Sequence, residues 1–160
     1  MNDRIKNMKT EILCKNWHTL KKVTFEYLQE DGTYQMQSRE AYDRGNGAVI
    51  LLYNKEEKSV ILTKQFRMPT YINGNSDGMM IEACAGLLDN DNTEDCIKRE
   101  TEEETGYKIN QVKKVFEAYM SPGSVTEILY FFIAAYAKEM KVNEGGGLAS
   151  EHEDIEVMEM

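Results

Sequence analysis

A chain of 160 residues, 41% apolar and 29% charged, is long enough to bury a core and too apolar to be a disordered one. Its net charge of −9 excludes nucleic acid as a bulk partner, because phosphate backbones need a basic face. It leaves room for a small phosphorylated ligand held by a few placed cations.

The three cysteines, Cys14, Cys84 and Cys96, include no CxxC pair. They read as buried thiols in a reducing cytosol, not as a disulfide framework or a zinc site. The opening MNDRIKNMKTEILCKNW has no apolar segment of signal-peptide length. No run approaches the ~18 apolar residues of a membrane span, so no membrane partner and a cytoplasmic location are expected.

Residues 16–29 loosely alternate, EDGT at 30–33 is a turn, and 34–42 resumes an extended pattern, which predicts a hairpin with a polar face. After the glycine-bounded turn DRGNG, the apolar run 48–53 suits a buried strand. NKEEK turns the chain back into a second strand, SVILTKQFR. The loop MPTYINGNSDG leads to another short apolar run, MMIEACAG.

The segment LLDNDNTEDCIKRETEEETGY then predicts a helix of about three turns. Thr93 serves as its N-cap, Glu94 and Asp95 lie in its first turn, and Gly106 stands at its C-cap. QVKKVFEAYM and TEILYFFIAAYA read as strands around the turn SPGSV. NEGGGLASEHED reads as a mobile, acidic, glycine-rich loop before a last strand, IEVMEM. One clear helix among many strands predicts an α+β domain with a mixed sheet. The last strand has no covering element after it, so a longer protein or a dimer partner over the open face is expected.

The helix carries Glu100, Glu102, Glu103 and Glu104 within about one turn. Like charges at helical spacing cost a few tenths of a kcal/mol per pair. Either the face is solvated or a cation sits there. Apolar positions are few, mainly Cys96 and Ile97 with Thr101 and Tyr107, so some acids must lie close to the sheet, where an unpaired carboxylate is costly. Lys98 and Arg99 are placed to pin them by charge-assisted hydrogen bonds. Glu100 and Glu104 at i and i+4, with Glu103 beside them, form an oxygen-rich set suited to Mg²⁺.

The run from Gly86 to Tyr107 resembles the signature of the Nudix hydrolases, G-x5-E-x7-R-E-U-x-E-E-x-G-U with U apolar. Gly86 matches its opening, and Arg99, Glu100, Glu103, Glu104, Gly106 and Tyr107 match its close. The stretch before Arg99 is one residue shorter than the pattern, so Asp91 or Glu94 stands in for the isolated Glu. Thr101 replaces an apolar residue. Segments YDRGNGAVILLYN, KQFR, AYMSPG, GGG and EDIEV extend the resemblance to the GDP-mannose pyrophosphatase branch of that family, with the ADP-ribose pyrophosphatases as close cousins.

The resemblance implies an α+β Nudix fold, α/β/α sandwich-like, with a mixed central sheet preceded by an N-terminal antiparallel sheet. It implies an N-terminal β-subdomain at 1–43, used for dimerisation with 16–42 exchanged between copies. A Nudix domain at 44–160 then lacks the helix that this branch carries after the last strand. It implies Mg²⁺ as cofactor, held by Glu100, Glu104, the carbonyl of Ala85 and Glu153, with Glu103 bound directly or through water and Arg99 orienting the set. Glu153 is the expected loop glutamate acting as ligand or general base, Glu151 the second choice, and His152 a bystander.

Arg67 is implied at the diphosphate, Trp17 at the nucleobase, and Ser38, Arg39, Glu40 and Glu127 at the nucleotide sugar. Ala85, Gly86 and Glu104 line the same substrate site. Ser38 departs from a more basic residue. The implied reaction is hydrolysis of GDP-mannose to GMP and mannose 1-phosphate by a homodimer. ADP-ribose hydrolysis and a binding module without catalysis are the alternatives.

Overall fold

The computed structural model describes residues 3–88 and 91–160. Asp89 and Asn90, in the loop of the glycine-to-helix signature, lie outside the described residues. The chain divides into two compact units, residues 1–46 with 119–128, and residues 47–118 with 129–160.

The first unit is an antiparallel sheet of three strands in the order β1-β2-β3, namely β1 (Ile5–Lys15), β2 (Thr19–Leu28) and β3 (Tyr34–Asp43). The expected hairpin is β2–β3. Asp31 shapes its turn by accepting from the Thr33 amide at 2.9 Å and the Thr33 hydroxyl at 2.7 Å. β1 is an addition that the sequence pattern does not announce. Its register against β2 slips between Lys6 and Lys9 and again between Ile12 and Cys14. Each bulge shifts the side-chain alternation by one, so no clean period of two survives. Cys14 on this strand is exposed, whereas Cys84 and Cys96 are buried as expected. Residues 119–128 pair onto the end of β3: the Tyr42 amide donates to Ser124 O at 2.8 Å, and the Thr126 amide to Tyr42 O at 3.0 Å.

The second unit is built on a seven-stranded mixed sheet. Its strands are β4 (Gly47–Asn54), β5 (Ser59–Phe66), β6 (Met79–Glu82), β7 (Cys84–Leu87), β8 (Lys113–Tyr119), β9 (Ile128–Ala135) and β10 (Glu156–Glu159). The order is β10-β5-β4-β9-β8, with β6 beside β5 and β7 beside β4. β4 runs parallel to β9 and antiparallel to β5 and β7.

Alternation along β4 sends Ala48, Ile50 and Leu52 into a core with Ile61, Phe132, Ala134, Cys96 and Ile97. Each buried aliphatic or aromatic side chain there contributes about 1.5–3 kcal/mol. On the other face of the run 48–53, Val49 is buried but Leu51 is 37% exposed. A short helix, α1 (Met68–Ile72), occupies part of the expected loop after β5, with proline in its first turn. Five residues are too few to show a helical period in the sequence.

The long helix α2 (Thr93–Thr105) carries the acidic turn and packs on β7, β4 and β5. Its N-cap is Asn92, one residue earlier than expected. The Asn92 side chain accepts from the amides of Glu94 at 3.1 Å and Asp95 at 3.0 Å. Gly106 ends the helix in the left-handed conformation, at φ 79°. Thr101 fills an apolar position and is fully buried. Its hydroxyl donates back to Ile97 O, so no polar atom is left without a partner.

Candidate active site

The site grows from the packing of α2 against β7. Glu104 is only 2% exposed. One of its oxygens accepts from the Ala85 amide at 3.3 Å, and the Cys84 thiol is a further hydrogen-bond partner. One turn earlier, the Glu100 carboxylate lies against Gly86, where any β-carbon would overlap it. A side chain at position 86 would therefore displace the Glu100 carboxylate.

Burial pushes the Glu104 carboxyl up to about 7, and neighbouring Glu100 and Glu153 push the same way. Burial likewise raises Glu100 to about 7, with Arg99 opposing it and Glu103, Glu153 and Glu151 adding to it. The same burial and the two carboxylates raise the Cys84 thiol well above its ordinary range.

Arg99 gathers three acids, Asp91 at 3.5 Å, Glu100 at 3.1 Å and Glu103 at 3.0 Å. Of the two candidates for the isolated acid of the signature, Asp91 is the one on Arg99, while Glu94 pairs with Lys98 at 3.9 Å. Glu102 turns outward to Lys108 at 3.5 Å. The acidic turn thus has both of its possible characters, a solvated side at Glu102 and a buried side at Glu100 and Glu104.

The segment after β9 is clasped onto the end of α2 rather than hanging free. Gly145, Gly146 and Gly147 all have positive φ. Gly146 donates its amide to Glu104 O at 2.9 Å and Gly147 to Glu103 O at 3.1 Å. A β-carbon on Gly145 would fall 2.5 Å from the Glu104 carbonyl oxygen. Gly145 permits close approach, all three glycines take left-handed backbone, and the Gly146 and Gly147 amides satisfy helix-end carbonyls. Glu153 lies over Gly147 and accepts from the Leu148 amide at 2.9 Å. Glu151 lies in the 3₁₀ turn Ala149–Glu151 and is exposed, as is His152.

Arg67, at the start of α1, donates from Nε to Glu82 at 2.9 Å. Glu82 was missed by sequence reasoning. Its only signal is a lone acid in the apolar run MMIEACAG.

The remaining expected residues belong to the first unit. Trp17 is 89% exposed and stacks on His18. Ser38, Arg39 and Glu40 lie exposed along β3, where Arg39 makes local contacts with Ser38 O and Gln37. Glu127 is 8% exposed and pairs with Arg44 at 3.4 Å.

The donors around Glu100 and Glu104 are carboxylate oxygens crowded against burial and one another, with Arg99 as their paired cation. That donor set fits a hard divalent ion, which would remove the repulsion and let both carboxylates ionise. Among the described residues no three His, Cys, Asp or Glu side chains converge as a finished cage.

The NUDIX domain family model matches residues 43–160. The chain belongs to the Nudix family. It is a Nudix hydrolase, and such hydrolases generally use a divalent metal. A second model, the GDP-mannose pyrophosphatase NudK N-terminal domain, matches residues 4–42. Over its whole length this Nudix chain is 56% identical to a GDP-mannose pyrophosphatase of Yersinia enterocolitica, covering 83% of that protein. It is likewise 56% identical to one of Yersinia pestis, covering 80% of it. One from Cronobacter sakazakii is 52% identical, with 83% covered. Among solved structures, an ADP compounds hydrolase superposes with a TM-score of 0.71 over 98% of this chain and 78% of that one, at 17% identity. That likeness shows the fold: a mixed sheet with few helices and an antiparallel N-terminal sheet. Among the described residues no helix is long and apolar enough to cross a membrane.

Proposed function

We propose that this Nudix hydrolase cleaves the pyrophosphate bond of a nucleoside-diphosphate sugar, and that GDP-mannose is the substrate, giving GMP and mannose 1-phosphate. The observation that carries the reading is identity of 52–56% to GDP-mannose pyrophosphatases over all 160 residues. Likeness confined to the metal helix would leave the substrate open. Likeness that includes the N-terminal sheet favours the same ligand.

Mg²⁺ is the proposed ion, and when bound it supplies charge neutralisation at the diphosphate and makes a neighbouring water more acidic. Glu100, Glu104, the Ala85 carbonyl and Glu153 would hold it, with Glu103 attached directly or through water. Arg99 orients Glu100 and Glu103. Glu153 closes over the site and accepts the proton of the attacking water, with Glu151 as the alternative base. Gly86 keeps the space into which the Glu100 carboxylate fits. Arg67 leaves Glu82 to stabilise charge on the diphosphate as the P–O bond breaks. Trp17 stacks on the base, and Ser38, Arg39, Glu40 and Glu127 contact the rest of the nucleotide sugar. The working form is a cytoplasmic homodimer joined through the N-terminal sheet, residues 1–43, ahead of a catalytic domain at 44–160. Neither nucleic acid nor membrane is a partner.

The test is product analysis with Mg²⁺ on GDP-mannose, ADP-ribose and a nucleoside triphosphate. GMP and mannose 1-phosphate, lost on Glu104→Gln, support the reading. AMP from ADP-ribose with GDP-mannose untouched overturns the substrate and keeps the hydrolase.

A further inference from the structure

The chain has a single tryptophan, and it is almost wholly in water. Trp17 occupies the β1–β2 turn, whose backbone is closed by the Asn16 amide donating to His18 O at 3.2 Å. One face of the indole is taken: the His18 ring stacks on it at 5.1 Å between centroids and 16° between planes. His18 in turn meets Tyr42 edge-on at 5.7 Å and 86°. The Tyr42 backbone is fixed by hydrogen bonds with Ser124 and Thr126. The same 119–128 segment carries Glu127, paired with Arg44.

A large exposed aromatic normally costs binding energy when it is immobilised, about 0.5–1.5 kcal/mol for a rotamer-rich side chain. Here the His18 ring lies against the indole before any ligand arrives, and Tyr42 meets His18 in turn. The other face of the indole stays open, and a planar base stacked on an aromatic ring is worth about 1–3 kcal/mol.

Resting on the proposed nucleotide-sugar reading, we propose that His18 and Tyr42 are positioning residues that buttress Trp17, presenting its free face as a preset stacking platform for the nucleobase. Neither ring touches the ligand. Each acts through the orientation of Trp17.

The test uses the intact chain with Mg²⁺, following the fluorescence of Trp17 on titration with GDP and the steady-state hydrolysis of GDP-mannose. His18→Ala is expected to weaken GDP binding roughly three- to tenfold. KM should rise by the same factor, with kcat within about twofold, because the platform acts on binding. His18→Phe, which keeps a stacking ring, restores both. In a Trp17→Ala background His18→Ala has no further effect, since the two act as one unit.

Wild-type affinity and KM in His18→Ala, a loss that His18→Phe does not rescue, or additive effects with Trp17→Ala would each overturn the buttress. Hydrolysis of GDP-mannose without any fluorescence response to GDP overturns the platform and leaves the substrate reading intact. A His18-dependent GDP response in a protein that does not hydrolyse GDP-mannose upholds the platform and sinks the substrate reading alone.

Discussion

Gly86 and Glu100 are packed so closely that one added methyl group would displace the Glu100 carboxylate. The contact joins β7, the strand before α2, to the helix itself, one residue along from the Ala85 amide that donates to Glu104.

Gly86→Ala is therefore expected to lower kcat by about a hundredfold, the scale of an angstrom-level misplacement in a site. The backbone at Gly86 does not need a positive φ, so stability falls much less than activity. A thermal melt and a kinetic assay on the same preparation separate the two. Loss of both together would mean that the glycine is needed for folding instead.

Glu100 and Glu104 govern how stability depends on pH. Both have an ordinary value of 4.5 and are raised to about 7 in the fold, chiefly by burial. The folded protein binds more protons than the unfolded chain between these values, so metal-free stability is greatest below about 4.5 on this account. It is lost as pH rises through about 7. The penalty at pH 8 is on the order of 3 kcal/mol for the deeply buried Glu104, with a smaller share from the less buried Glu100. Mg²⁺ should abolish this slope, because it lets the carboxylates ionise in place. Melting temperatures across pH 5–8 with Mg²⁺ and with a chelator check it; a metal-free protein that gains stability towards pH 8 contradicts it.

Glu104→Gln removes a buried carboxyl that must ionise at alkaline pH. It should melt higher than the wild type at pH 8 without metal, while losing turnover and the Mg²⁺-induced rise in Tm. Stability gained at the expense of activity is the usual signature of a functional carboxylate.

Glu153→Gln is expected to cost kcat about 10²–10⁴-fold, the range of a general base, and Glu151→Gln less than about tenfold. The grounds are positional, since Glu153 is among the main groups raising both Glu100 and Glu104, and at Glu100 its effect is larger than that of Glu151. The opposite ranking in kcat assigns the base to Glu151.

Gly145→Ala should destabilise the protein by about 2–3 kcal/mol, the cost of forcing a methyl group into close packing. A β-carbon there meets the backbone of Glu104, Thr105 and Gly106 at 2.5–2.8 Å. The expected fall in Tm is roughly 5–10 °C for a chain of this size. An unchanged melt would show that the 143–147 segment can lift off the helix at little cost.

What could be read directly from the sequence is what depends on near neighbours along the chain. The helix with its acids, the left-handed Gly106, the β2–β3 hairpin and the Nudix signature all follow from spacings of a few residues. The spacing of Glu100 and Glu104 on one helix face is fixed by 3.6 residues per turn, whatever the rest of the fold does. Even the low apolar content of α2 predicted that some of its acids would meet the sheet, as Glu104 does.

Only the tertiary structure decided which acid each cation meets and how closely backbones approach. Arg67 pairs with Glu82, 15 residues away, across β5 and β6. Asp91 rather than Glu94 joins Arg99, while Glu94 pairs with Lys98. The three glycines at 145–147 look like a flexible linker in isolation, yet all take positive φ, and at Gly145 a β-carbon would strike the backbone at the end of α2. β1 escaped sequence reading because bulges erased its period and neither of its faces is buried. Local periodicity records what a segment does by itself. Charge pairing and close packing between distant segments record the fold, and one chain read in order does not carry them.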